Sequence, residues 1–141
     1  MDSVWVFFYG SFMSAAVLRK RGVECEMTSP ARLEGFRLSI RPLANLSKDE
    51  SSVAYGGLAL VSHLDLQRLY AELKDEFDIT YHPFPIAAEL EDGNTRTALC
   101  YRAFDVPGSA ADPDYIAVMA KCAAELEAPD DYIRHIESFA D

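Results

Sequence analysis

The chain begins with an apolar segment that ends abruptly at a glycine. Residues 3–9 read SVWVFFY, without a charged side chain, and Gly10, Ser11 and Phe12 follow at once. A short run that is apolar throughout is typical of a strand buried on both faces. Glycine accepts backbone conformations that other residues avoid. The sequence therefore predicts a tight turn directly after a core strand.

The rest of the chain mixes strand and helix patterns. Strands are indicated by apolar runs or by apolar–polar alternation, and helices by apolar residues every three or four positions. The further predicted strands cover residues 35–43, 53–61, 79–90 and 96–104, and the predicted helices begin near Ser14, Ser62, Pro113 and Asp130. Between two of these strands, the polar residues 45–52, NLSKDESS, are predicted to form a loop.

These elements predict an α+β fold. A doubly wound sheet would alternate strands and helices regularly, whereas the turn signal EDGN at residues 91–94 joins two strands directly. Pro83 and Pro85 lie within a strand pattern and predict an edge or kinked strand. We therefore expect a small mixed β-barrel with helices on its outside. Residues 1–141 are enough for one domain with its own core.

Charge and cysteine usage exclude several classes of partner. The net charge is −10 at pH 7, whereas nucleic acids and anionic membrane surfaces attract clustered Lys and Arg. The three cysteines and three histidines show no metal-ligand spacing, so we expect no metal site. Cys100 and Cys122 are interpreted as small core residues. Reduced thiols, and the lack of a leader or a long apolar span, predict a cytoplasmic protein.

The turn itself matches none of the common phosphate or nucleophile motifs. There is no GxGxxG and no GK[ST], and Tyr9 and Met13 occupy the glycine positions of a GxSxG elbow. A hydrolase built on Ser11 would also need a histidine partner, which the sequence does not indicate. What remains is a strand end whose backbone N–H groups point outward, where glycine lets a ligand approach. They suit a carboxylate or an oxyanion, unless Ser11 or Ser14 caps them.

The ordered set of motifs resembles the gamma-glutamyl cyclotransferase-like family. The matching segments, in chain order, are VFFYGSFM, ARLEGFRLSI, VAYGGLALV, DLQRLYAEL, TYHPFPI and YIAVMAKCAAELEAPDDYIRHIESF. The resemblance covers nearly the whole length and implies a small mixed β-barrel surrounded by helices. It also implies an intramolecular aminolysis without metal or cofactor. In that reaction the α-amine of a γ-glutamyl group attacks its own δ-carbonyl, releasing an amine or amino acid and 5-oxoproline.

The resemblance further implies a substrate site at the predicted turn, with a small molecule as the partner. In the family the turn donates hydrogen bonds to the substrate, which carries over to Tyr9, Gly10, Ser11 and Phe12. Tyr81 matches a tyrosine that follows the family's helix, and it either lines the pocket or packs against its neighbours.

The family's proton-carrying glutamate is not in its expected position. The family pattern on the helix is roughly Leu-Asp-x-x-Glu; laid on Leu69, it puts Tyr70 at the Asp and Leu73 at the Glu. On a helical wheel Glu76 lies beside Leu69 and Glu72 a little further round. Either glutamate is a candidate acid/base, or both are solvated residues beside an apolar stripe. In the second case the chain is a catalytically silent module that binds a small metabolite.

Overall fold

A computed structural model describes residues 2–140 of the chain. Within this range there are five strands, four α-helices and two short 3₁₀ turns, at Gly10–Met13 and Ser138–Ala140. The strands are β1 (Ser3–Phe8), β2 (Met27–Ile40), β3 (Ala44–Ser62), β4 (Tyr81–Leu90) and β5 (Thr95–Ala103). The helices are α1 (Ala15–Lys20), α2 (His63–Phe77), α3 (Pro113–Glu125) and α4 (Asp130–Glu137). None of these helices has the length and apolar character needed to cross a membrane.

The strands form one closed sheet in the order β1-β3-β2-β4-β5. Neighbouring strands run antiparallel, except that β1 and β5 are parallel where Val6 lies opposite Leu99. That contact joins the two ends of the strand order and makes the sheet mixed. The expected α+β fold, a small mixed barrel with helices outside it, is confirmed.

The long β2–β3 hairpin corrects the loop that was predicted at residues 45–52. These residues lie inside β3, where Asn45 pairs with Ser39 and Lys48 pairs with Phe36. Most of their side chains are exposed or half-buried. The loop prediction was wrong because a solvent-facing stretch of antiparallel strand contains the same polar residue types as a loop.

Strand β1 separates two buried apolar clusters, as its unbroken apolar run predicted. Phe7 packs into the cluster that includes residues of α3 and α4. Val6 and Phe8 face the opposite way, into the cluster formed with α1 and α2. Phe7 and Phe8 are each only 1% exposed. The end of β1 is therefore held from both sides, which fixes the position of the turn that follows it.

A close approach of two backbones explains one of the glycines in β3. A Cβ on Gly56 would lie 2.1 Å from the carbonyl oxygen of Phe8. No side chain can occupy that space, so β1 and β3 approach each other here only because residue 56 is glycine.

Ser14 and Ser62, near which two helices were predicted to begin, cap those helices. The Ser14 hydroxyl accepts a hydrogen bond from the N–H of Val17 at the start of α1, at 3.3 Å. The Ser62 hydroxyl accepts one from the N–H of Asp65 at the start of α2, at 3.1 Å. These caps satisfy N–H groups that have no partner within the helix. They set the starting points of the two helices that lie beside the turn.

Candidate functional site

A cavity of about 440 Å³ opens at the end of β1. Its wall is built from the end of β1 and the following 3₁₀ turn, the connection between β2 and β3, helix α2, and the start of α3. Most of the lining side chains are aromatic or aliphatic. A largely apolar hollow with a few polar groups is the usual form of a small-molecule site.

Gly10 is explained by packing between the turn and β3. Its φ angle is +67°, and a Cβ at this position would lie 2.5 Å from the Cβ of Ala44. A side chain would therefore be strained and would clash. Gly10 is not among the lining residues, unlike its neighbours Tyr9, Ser11 and Phe12. The glycine allows the turn to approach β3, which is a different reason from the ligand approach considered from the sequence.

The 3₁₀ turn leaves backbone donors free beside the cavity. Ser14 caps α1 with its side chain and donates its own N–H to the carbonyl of Ser11, at 3.1 Å. Tyr9 gives the turn no side-chain cap. The first N–H groups of a helical turn have no acceptor within it. In the part of the chain that the structure describes, no hydrogen bond occupies the N–H groups of Gly10 and Ser11.

Tyr81 and Tyr115 hold the first peptide groups of β3 at the cavity wall. The Tyr81 hydroxyl donates to the carbonyl of Ala44 at 2.6 Å, and the N–H of Ala44 donates to the Tyr115 hydroxyl at 3.2 Å. Both tyrosines line the cavity. Tyr81 therefore both lines the cavity and contacts another part of the barrel, the start of β3.

Tyr70 supplies a neutral hydroxyl at the cavity wall. Its ring stacks on that of Tyr101, with the ring centroids 4.0 Å apart. The Tyr9 hydroxyl donates a hydrogen bond to the backbone carbonyl of Tyr101, at 2.6 Å. Burial raises the pKa of Tyr70 and of Tyr9 well above the ordinary value, so neither ionises near neutral pH. Among the described residues the Tyr70 hydroxyl has no hydrogen-bond partner, so it is free to bond a ligand.

Arg21 brings a positive charge to the cavity, and both predicted glutamates bind to it. Its Nη1 and Nη2 atoms donate to the two carboxylate oxygens of Glu76, at 3.3 Å each, and Nη1 lies 4.0 Å from a carboxylate oxygen of Glu72. Arg21 lines the cavity, whereas neither Glu72 nor Glu76 does. Arg21 was not among the site residues predicted from the sequence, because a cation at the end of a helix is common and does not by itself indicate a binding site.

The position where the family pattern has its glutamate carries an apolar side chain here. Leu73 is 5% exposed and lines the cavity. The lining carboxylates are instead Asp112 and Asp114, where α3 begins. Asp112 caps that helix, because its Oδ1 accepts the N–H of Asp114 at 2.9 Å. The carboxylate of Asp114 has no hydrogen bond or ion pair among the described residues. Neither aspartate was predicted as a site residue, because acidic residues at the start of a helix are common.

The positions of the histidines and of the other possible metal ligands can be compared with the cavity. No histidine of residues 2–140 lines it; Nε2 of His135, for example, lies 2.7 Å from the carbonyl oxygen of Leu38. Among these residues Ser11 therefore has no histidine beside it in the cavity to form a Ser–His pair. Over the same residues, no three His, Cys, Asp or Glu side chains come together as metal ligands would.

Comparison with known proteins identifies the fold. No protein-family model matches the sequence, and no curated protein does. A solved gamma-glutamyl cyclotransferase is similar over 97% of this chain and 88% of its own, with a TM-score of 0.81 and 17% identity. An uncharacterized protein from Homo sapiens (loc79017) is similar over 98% and 88%, with a TM-score of 0.82 and 17% identity. A gamma-glutamyl cyclotransferase specific to glutathione, from yeast, is similar over 99% and 96%, with a TM-score of 0.63 and 11% identity. At these identities the likeness shows the fold, which is that of the gamma-glutamyl cyclotransferases.

Proposed function

We propose that this chain is an enzyme of the gamma-glutamyl cyclotransferase type, acting on a small γ-glutamyl amine or γ-glutamyl amino acid. The observation that carries the proposal is the cavity of about 440 Å³ beside the Gly10–Met13 turn, in a fold shared with gamma-glutamyl cyclotransferases. Small-molecule sites commonly enclose roughly 300–1,000 Å³. A γ-glutamyl unit with a small leaving group is of a size that fits such a volume.

The reaction needs three contributions from the protein. The substrate's α-amine forms a bond to its δ-carbonyl carbon, an oxyanion develops on that carbonyl, and the bond to the leaving nitrogen then breaks. A confined cavity favours the folded substrate in which amine and carbonyl meet. Unoccupied N–H donors at the turn, beside the lining residue Ser11, suit the oxyanion. The third contribution is a group that moves a proton from the attacking nitrogen to the leaving nitrogen.

We assign the proton transfer to Asp114 rather than to Glu72 or Glu76. A general acid/base must reach the reacting atoms directly or through one water. Asp114 lines the cavity and pairs with no cation among the described residues. Glu76 and Glu72 lie outside the lining and contact the guanidinium of Arg21. Asp114 is therefore the better placed of the three carboxylates.

The test is to incubate the purified, folded protein with γ-glutamyl amino acids and γ-glutamyl amines and to measure 5-oxoproline by mass spectrometry. We expect 5-oxoproline and the free amine in equal amounts, with no added metal or cofactor. Absence of turnover for every substrate, in a protein whose folding is confirmed by circular dichroism, would contradict the proposal.

A second candidate is a module that binds a γ-glutamyl compound without converting it. The observation in its favour is Leu73, which presents an apolar side chain to the cavity where the family pattern has its glutamate. Titration calorimetry separates the two functions. The module would bind a γ-glutamyl amine that is recovered unchanged, whereas the enzyme would release 5-oxoproline from the same sample.

A further inference from the structure

Arg21 is the sole cation among the described residues that line the cavity. Its side chain is 25% exposed. Moving a guanidinium out of water is costly unless the charge is paired. Glu76 and Glu72 offset that cost from the outer side, and their own side chains are 54% and 43% exposed. The chain thus holds a paired cation against a mostly apolar and aromatic hollow, whose lining also includes Asp112 and Asp114 at the start of α3.

The contacts of Arg21 with the two glutamates are loose and leave donors free. Close charge-assisted hydrogen bonds measure about 2.7–2.9 Å, whereas both bonds to Glu76 measure 3.3 Å and the contact to Glu72 measures 4.0 Å. A guanidinium has five N–H donors in a planar fork. The described residues accept side-chain hydrogen bonds from Arg21 only at Glu76, so some of these donors stay available.

Further donors lie near the guanidinium. Burial raises the pKa of the Tyr115 hydroxyl, and the Ala44 N–H, the Ser11 side chain and the charge of Arg21 partly oppose that rise. Arg21, Ser11 and Tyr115 all line the cavity, next to the turn with its unoccupied N–H groups. A guanidinium, two hydroxyls and backbone N–H groups form a cluster rich in donors. Such a cluster suits an anionic oxygen ligand, and the planar fork suits a carboxylate in particular.

The two glutamates do not cancel this preference, because they lie on the wetter side. Interactions between charges weaken in a high effective dielectric and strengthen where water is excluded. Glu72 and Glu76 are about half exposed, whereas the opposite side of Arg21 faces the mostly apolar cavity. A carboxylate inside the cavity would therefore interact with Arg21 more strongly than the solvated glutamates do.

We propose that Arg21 binds the α-carboxylate of the ligand, and that Glu76 and Glu72 are positioning residues that hold its guanidinium at the cavity wall. This inference rests on the proposed function. When a γ-glutamyl group cyclises, its δ-carbonyl carbon joins a five-membered ring that carries the α-carboxylate. The carbonyl oxygen and the carboxylate are then close together, so neighbouring donors can bind both. The inference narrows the substrates to γ-glutamyl compounds with a free α-carboxylate, and excludes α-esters and α-amides.

The test measures binding separately from turnover. The probe is the mono-N-methylamide of glutaric acid, which keeps the carboxylate but lacks the amine and so cannot cyclise; its methyl ester is the uncharged match. By titration calorimetry we expect the wild-type protein to bind the acid at least tenfold more tightly than the ester. We expect Arg21→Gln to remove this preference and Arg21→Lys, which keeps the charge without the fork, to retain part of it.

The matched control is Arg37→Gln, at an exposed arginine of β2 that does not line the cavity. It should keep the full preference for the acid. Equal binding of acid and ester by the wild-type protein, or an unchanged preference in Arg21→Gln, would overturn the inference. If Arg21→Gln does not fold, the acid–ester comparison in the wild type and in Arg21→Lys still decides.

The same experiment separates this inference from the proposed reaction. An Arg21-dependent preference for the acid, without 5-oxoproline from any γ-glutamyl substrate, would support the carboxylate site and contradict the reaction. Formation of 5-oxoproline at equal rates by the wild-type protein and Arg21→Gln would support the reaction and contradict the carboxylate site. Binding of neither probe, without turnover, would contradict both.

Discussion

The methyl carbon of Ala44 lies 2.5 Å from the point that a Cβ on residue 10 would occupy. The turn at the end of β1 and the first residue of β3 therefore fit together only while residue 10 is glycine. The carbonyl of the same Ala44 accepts the Tyr81 hydroxyl, and its N–H donates to the Tyr115 hydroxyl. One small residue thus links the turn, the barrel and helix α3 at the edge of the cavity.

Replacing Gly10 with alanine should destabilise the protein by about 2–6 kcal/mol. The change adds strain at a φ of +67° to a clash with Ala44, and each effect typically costs about 1–3 kcal/mol. Chemical denaturation measures the loss. Gly93→Ala is the control, because Gly93 also has a positive φ but no atom within 4 Å of its Cβ position. Equal losses in the two variants would show that the clash contributes nothing.

Removing the hydroxyl of Tyr81 should cost about 1–2 kcal/mol of stability. Tyr81→Phe leaves the carbonyl of Ala44 without its 2.6 Å hydrogen bond in a largely dry environment. Tyr101→Phe is a suitable control, since no described residue hydrogen-bonds to that hydroxyl. Thermal or denaturant unfolding of both variants checks the prediction, and equal stabilities of the two would contradict it.

Replacing Asp114 with asparagine should lower kcat for 5-oxoproline formation by about 10²–10⁴-fold. The change removes the proposed acid/base while keeping the shape of the side chain. The binding of the non-cyclising glutaric monoamide should change little, because the amide cannot use the proton-transfer group. Asp105→Asn, at an exposed residue that does not line the cavity, is the control. If the kcat of Asp114→Asn is within a few-fold of the wild-type value, a group other than Asp114 transfers the proton.

Glu76→Gln distinguishes a positioning role from the acid/base role considered from the sequence. If Glu76 holds Arg21, the variant should bind the glutaric monoamide acid about 3–10-fold more weakly, bind its ester unchanged and keep most of kcat. Glu72→Gln should have a smaller effect, because its contact with Arg21 is 4.0 Å long. Exposed Glu137 supplies the control Glu137→Gln. A fall of about 10² or more in kcat with unchanged binding would make Glu76 the proton carrier instead.

The protein should lose stability above pH 9 through Cys100. Burial raises the pKa of this thiol to about 12, from an ordinary value of 9.0. As the pH rises, the thiol therefore loses its proton in the unfolded chain before it does so in the folded protein. The contribution of the neutral thiol to the free energy of unfolding is fully present below about pH 9 and is lost between about pH 9 and pH 12. At pH 10.5 the loss is about 2 kcal/mol, from about 1.4 kcal/mol per pH unit.

Denaturant unfolding at pH 8 and pH 10.5 measures this loss. The variant Cys100→Ala should be less stable than the wild type at pH 8 because it leaves a small cavity. It should nevertheless show a smaller decline between the two pH values than the wild type. An identical decline in the two proteins would assign the alkaline sensitivity entirely to other buried groups, such as Tyr9 and Tyr70, whose pKa values are also raised by burial.

The elements that the sequence predicted well are those in which one local pattern determines the outcome. The unbroken apolar run of β1 requires burial on both faces, and Ser14 and Ser62 mark the starts of α1 and α2 whatever surrounds them. The loop predicted at residues 45–52 was wrong because polar residues indicate only that a segment is exposed to solvent. Exposure does not distinguish a strand from a loop.

The candidate site was harder to predict because its key contact joins distant parts of the chain. A helical wheel shows which face of α2 carries Glu76, but it cannot show that Arg21, at the end of α1, lies opposite that residue. Asp114 could not be predicted for the same reason, because its contact with the cavity also depends on the tertiary structure. The start of α3 reaches the cavity only through tertiary packing, and nothing in its own sequence records that position.

The double burial of β1 also determines how readily this site can be altered. The donors of the turn directly follow a strand whose amide hydrogens should be among the slowest in the molecule to exchange with solvent. Another part of the cavity wall is formed by side chains of α2 and α3. Side chains at the mouth, such as Phe77 and Val118, are substantially exposed. Substitutions there can change which leaving group is accepted while the donors of the turn keep their positions. A change of substrate specificity therefore need not lower the stability of the fold.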